Sequence, residues 1–144
     1  MFFLTVLISC CLLMTVPCVC AKEHAHASPV SDGSRCDFQY GACAKNISNL
    51  EVTLDIAPKP VKAMKELLFS VVVKGGKRYD SLVLDLTMPG MYMGANKVIL
   101  KRSADGIYTG KGIIPKCPSG KKFWSASIDF PGKGSVEFFF DVVY

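Results

Sequence analysis

Histidine is nearly missing from this chain. Only His24 and His26 occur in 144 residues, and none follows position 26. The remainder therefore has no imidazole to serve as a base beside a cysteine or serine, and enzymatic chemistry of that kind is not expected. No Asp, Glu, Lys or Arg precedes Lys22, and no long uncharged apolar run follows it. One such run excludes a polytopic membrane protein. Acidic residues are few, 12 against 17 Lys and Arg, and the net charge of +5 is spread along the chain without a basic block. A nucleic-acid role has little support from that pattern. Half of the residues are hydrophobic, which excludes the low-hydrophobicity signature of disorder. The three-to-four-residue apolar spacing of an amphipathic helix does not extend over a useful length.

What is present divides into three parts. Residues 1–21 form an uncharged apolar leader ending in Val19-Cys20-Ala21. The reading favours a secretory signal cleaved before Lys22. Retention as a membrane anchor is the rival, and lipidation at Cys10, within Leu7-Ile8-Ser9-Cys10, is a third option. Each exports the remaining chain to an oxidising, periplasmic compartment. Residues 22–48 are short, polar and mixed and read as a flexible Cys-containing linker. Residues 49–144 form the folded domain.

Within that domain the apolar residues recur with period two. Seven strands are predicted, over 50–56, 67–73, 82–86, 98–100, 108–114, 124–130 and 136–142. Turn residues such as Pro58, Gly75-Gly76, Pro89-Gly90, Asp105-Gly106 and Pro131-Gly132 punctuate them. This pattern predicts an all-β fold, an immunoglobulin-like antiparallel β-sandwich of about seven strands. Trp124, the single tryptophan, lies on an inward stripe and is expected in the core.

Sulfur is the unusual element. Of seven cysteines, Cys10, Cys11, Cys18 and Cys20 belong to the leader. Cys36, Cys43 and Cys117 remain. A Cys36–Cys43 disulfide is favoured because the two are close and flank a turn-like segment, with Cys43–Cys117 as the alternative. Met88, Met91 and Met93 fall within six residues, on a turn. Thioether sulfur is a soft ligand suited to Cu(I). In a seven-strand arrangement the loops 58–65, 88–96 and 115–122 share one end. They carry Met64, the three methionines and Cys117, so the candidate metal donors are Met88, Met91, Met93 and Cys117, with Met64 weaker. Cleavage after Ala21 would also leave Lys22-Glu23-His24 as an amino-terminal Cu(II) ligand set with His26 nearby, a weaker candidate. Packing is the competing role for Met88, which continues the inward register of Leu82, Leu84 and Leu86.

The stretch 54–142 resembles the YtkA-like/FixH family. The likeness is carried by Leu84-Asp85-Leu86-Thr87-Met88-Pro89-Gly90-Met91-Tyr92-Met93-Gly94, by Asp105-Gly106-Ile107-Tyr108-Thr109-Gly110 and by the late Trp124. Cys36, Cys43 and Cys117-Pro118-Ser119-Gly120 fall outside the family pattern. The resemblance implies a small exported or anchored immunoglobulin-like module. Partners implied by it are copper-transport and cytochrome-oxidase assembly proteins. The sequence thus predicts a non-enzymatic exported module that handles copper, or assists metalloenzyme assembly, through its methionine turn. The alternative is an envelope protein–protein interaction module with no metal role.

Overall fold

The computed structural model describes residues 35–144. The leader, the cleavage position, His24 and His26 lie outside the described residues. Eight strands follow one another: β1 (Cys43–Ile47), β2 (Leu50–Ala57), β3 (Glu66–Lys74), β4 (Ser81–Thr87), β5 (Lys97–Arg102), β6 (Tyr108–Ile113), β7 (Phe123–Phe130) and β8 (Gly134–Asp141). They pair antiparallel in the order β1-β2-β3-β6-β5-β4-β7-β8. The outer strands β1 and β8 approach each other, so the sheet curls into a nearly closed barrel. No helix occurs among the described residues.

The alternation seen in the sequence becomes the inner surface of this barrel. Leu50, Val52, Leu54 and Ile56 of β2 are buried, as are Leu67, Phe69 and Val71 of β3. Their register places Ile56 opposite Phe69 and Leu54 opposite Val71. Across the barrel, Trp124 pairs with Phe140, Ala126 with Phe138 and Ile128 with Val136. All six are buried. Burying each large side chain of this kind contributes about 1.5–3 kcal/mol. Trp124 is 0% exposed and anchors the core as expected.

Strand β6 turns the sheet. It pairs with β3 along six residues but with β5 at only two positions, Lys101 opposite Thr109 and Arg102 opposite Tyr108. Its inward stripe reads Tyr108, Gly110, Gly112, Ile114. A Cβ on Gly112 would come within 2.5 Å of Val98, and one on Gly110 within 2.9 Å of Val98 and Leu100. The missing side chains let β5 fold over β6 and fill that space with its own apolar residues.

The linker expectation needs correcting over 35–48. Arg35 to Ile47 belongs to the fold, and the eighth strand lies within it. Cys43–Ile47 alternates weakly and buries only Ala44, so its own side chains gave little sign of a strand. Pairing with β2 decides the matter. Ahead of it, Cys36 and Phe38 are buried, and Cys36 N–H donates to Phe139 O at 2.6 Å. Phe38 meets Phe140 edge-on with centroids 5.2 Å apart. Cys36 and Cys43 lie at disulfide distance, Cα–Cα 5.8 Å, within the usual range. This segment covers the free edge of β8. The predicted strand 98–100 also proves longer, because Lys97, Lys101 and Arg102 continue the β4 and β6 pairing.

Candidate functional site

Three connections meet at one end of the barrel: β2–β3, β4–β5 and β6–β7. The C-terminus joins them. Ala63 N–H donates to Val143 O at 2.9 Å, and Val143 N–H to Val61 O at 2.8 Å. Met64 N–H donates to Ile114 O at 2.8 Å, tying the β2–β3 loop to the end of β6. Asn96 Nδ2 donates to Ile113 O at 3.0 Å from the β4–β5 loop.

The methionine turn follows from its sequence. Pro89 supplies a preset φ and Gly90 adopts φ +76°, the requirements of a type II turn. Met91 N–H accordingly donates to Met88 O at 3.0 Å, and the two methionines form an antiparallel bridge. Residues opposed in this way project side by side. In the extended backbone that follows, Met93 returns to the face of Met91 while Tyr92 points away. The burial agrees: Met91 and Met93 pack against the core, whereas Tyr92 is 89% exposed. Met88 is 3% exposed and belongs to the core. The three methionines line a cavity of about 180 Å³ together with Asp85, Thr87 and Lys97.

Cys117 comes from the other loop. Pro118 begins a tight turn in which Gly120 N–H donates to Cys117 O at 2.9 Å, with Gly120 at φ +75°. Tyr144 clasps this turn at both ends, its hydroxyl accepting from Cys117 N–H at 3.2 Å and donating to Lys121 O. The thiol is fully buried. Its Sγ lies 3.0 Å from Ser119 Oγ and 3.5 Å from Met91 Sδ. The Ser119 hydroxyl lowers the Cys117 pKa below the ordinary thiol value. Burial opposes that shift, while the Ser119 and Lys121 backbone and the Lys121 charge assist it. Ser119 thus eases loss of the thiol proton, and the thiolate is the form in which sulfur binds metals.

Of the predicted donors, Cys117 and Met91 are in contact, and Met88 and Met93 line one cavity with Met91. Met64 is not with them: it is 62% exposed at φ +62° and lines no part of the cavity. Cys43 lies at disulfide distance from Cys36 and is separate from this group. Ser119 and Tyr144 were not singled out in the sequence. A Cys-Pro-Ser-Gly turn was the only available signal for Ser119, and Tyr144 reaches Cys117 through the fold alone.

The donor set is soft. Metal–thiolate bonds run near 2.3 Å, so two sulfurs in a trigonal site stand roughly 4 Å apart. Cys117 Sγ donates to Met91 Sδ at 3.5 Å, a direct contact shorter than that spacing. An ion held between them would replace the thiol proton and part the two sulfurs. No group of three or more His, Cys, Asp and Glu side chains comes together among the described residues. No family profile, curated protein or solved structure matches the chain.

Proposed function

We propose that this chain is an exported, non-enzymatic β-domain that binds Cu(I) at the sulfur-rich end of its barrel. The observation that carries this reading is the 3.5 Å contact between Cys117 Sγ and Met91 Sδ, from loops 26 residues apart. Cys117 and Met91 are the central donors. Met88 and Met93 line the cavity beside Met91 and bring the set to four sulfurs. Thiolate and thioether sulfur favour Cu(I) over hard cations. A partner that donates or receives copper would exchange it through the cavity mouth, where Met91 and Met93 are half-exposed.

In this reading the barrel is an opened immunoglobulin-like sandwich. One leaf is β1-β2-β3-β6 and the other is β5-β4-β7-β8. The sparse β5–β6 pairing, two positions only, supports that division. The reading agrees with the YtkA-like/FixH resemblance but rests on the sulfur geometry.

Competition for Cu(I) against a colorimetric chelator tests it with the full chain. Stoichiometric uptake is expected, lost in Met91→Leu/Met93→Leu and in Cys117→Ser. Trp124 is the sole tryptophan, and its emission gives a second readout. Uptake by the variants equal to that of the parent chain would sink the site. One observation favours the interaction reading instead: Tyr92, just after the turn and 89% exposed, offers an aromatic ring to a partner protein. Absence of Cu(I) uptake by the parent chain, with partner capture lost in Tyr92→Ala, would select it.

A further inference from the structure

The opposite end of the barrel carries a second cavity of different chemistry. The β3–β4 and β5–β6 turns enclose about 210 Å³ between Gly75, Gly76, Lys77, Arg78, Arg102 and Gly106. Three of these six residues are cations. Arg35, Lys59, Lys74 and Lys111 each pair with a carboxylate within 2.8 Å. Among the described residues, Lys77, Arg78 and Arg102 have no such partner, as is true of most other cations of the fold; what sets these three apart is their place around one cavity.

The walls are held in place. Tyr108 Oη accepts from Tyr79 N–H at 3.1 Å and donates to Tyr79 O at 2.9 Å, which fixes the β3–β4 turn against β6. Gly106 stands at φ +83°, and a Cβ there would come within 2.9 Å of Arg102 Nη2. The half-buried Arg102 guanidinium thus rests against bare backbone. Gly76, at φ +69°, is likewise seated against Leu50, with 2.5 Å left for a Cβ. Glycine at 106 leaves room for the Arg102 guanidinium at the cavity wall, and glycine at 76 lets the β3–β4 turn close onto β2.

Three like charges around one concavity repel one another and together attract an anion. A multivalent oxyanion seated among them removes that repulsion. It also accepts the forked N–H pairs that guanidinium groups present. We infer that this cavity is a binding site for a phosphate group, held by Arg78, Arg102 and Lys77. The group is either free inorganic phosphate or the headgroup of an anionic lipid.

The test uses amide resonances of the full chain titrated with inorganic phosphate, and co-sedimentation with phosphatidylglycerol or phosphatidylcholine vesicles. Saturable shifts at Gly75, Gly76 and Gly106 are expected. Arg102→Gln and Arg78→Gln should each weaken binding about tenfold or more, as loss of a charge-assisted hydrogen bond does. Lys101→Gln, next to Arg102 on β5 but outside the cavity, should leave it unchanged. Arg78 is exposed on a turn, so its variant keeps the test valid if Arg102→Gln disturbs the hairpin. Arginine-dependent sedimentation with phosphatidylglycerol alone assigns the lipid source, and phosphate shifts without it assign the free ion. Phosphate shifts that persist in both arginine variants would overturn the site. So would absence of both the glycine shifts and arginine-dependent sedimentation.

Discussion

The two ends of the barrel are built from opposite materials. At the sulfur end the loops carry Met88, Met91, Met93 and Cys117, and they fold down onto the core. The C-terminus and Tyr144 stitch them together. At the cationic end the turns carry Lys77, Arg78 and Arg102, with glycines between them. Those turns stay open around a polar concavity. The difference is one of solvation. Thioethers gain by leaving water, so a loop that holds them packs. Unpaired guanidinium and ammonium groups lose by leaving water, so a loop that holds them stays out until an anion arrives. One end is therefore part of the core and the other is a rim.

Substitutions sharpen that contrast. The largest effect is expected for Met88→Ala, about 2–5 kcal/mol of lost stability in chemical denaturation, because it leaves a cavity in the core. A loss below about 1 kcal/mol would place the methionine turn outside the core and erase the distinction between the ends. Second comes Cys36→Ala/Cys43→Ala. A closed loop with a sequence separation of 7 contributes about 2.5 kcal/mol by restricting the unfolded chain. Denaturation under matched oxidising conditions reads it, and hydrogen exchange should rise first along β1 and the covered edge of β8.

A smaller effect is expected at the cationic end. Gly106→Ala forces a side chain into positive φ and against Arg102, and should cost about 1 kcal/mol or somewhat more. It should also weaken phosphate binding by displacing the guanidinium, whereas the sulfur site should be untouched. A coupled loss of Cu(I) uptake would show that the ends are not independent. The smallest effect concerns pH. Cys117 has a folded pKa below the ordinary value of 9.0. Between those two values the unfolded chain retains a proton that the folded chain has released. Stability should therefore rise with pH through that window, and the contribution is lost as pH falls through the folded pKa. Ser119→Ala removes the first cause of the shift, so its stability should rise less steeply over the same range. Denaturation curves from neutral pH to above pH 9 measure the difference. Equal slopes would remove Ser119 from the thiolate turn.

Much of the fold was legible because strand patterning is local. Leu50 to Ile56 and Trp124 to Phe130 alternate so regularly that the inner face could be read directly. Pro89-Gly90 likewise announced the turn that sets Met88 beside Met91. β1 was not legible, since Cys43–Ile47 buries one side chain and takes its strand character from its neighbours. The cationic cavity was not legible either. Lys77, Arg78 and Arg102 look like ordinary surface charges until two separate turns bring them together.

The sequence alone determined the all-β class, the strand stripes, the core role of Trp124 and the methionine turn. Each depends on residues within one strand or one turn, where pleat and φ restrict the choices. Only the tertiary structure decided which sulfurs meet. Cys117 touches Met91 and not Met64, because Pro118 and Tyr144 turn the thiol inward while Met64 faces solvent. Only the tertiary structure decided that β6, thinned by Gly110 and Gly112, would be the corner where β5 folds over it. Contacts between residues far apart in sequence depend on how the sheet curls, and that curl is a property of the packed core rather than of any one segment.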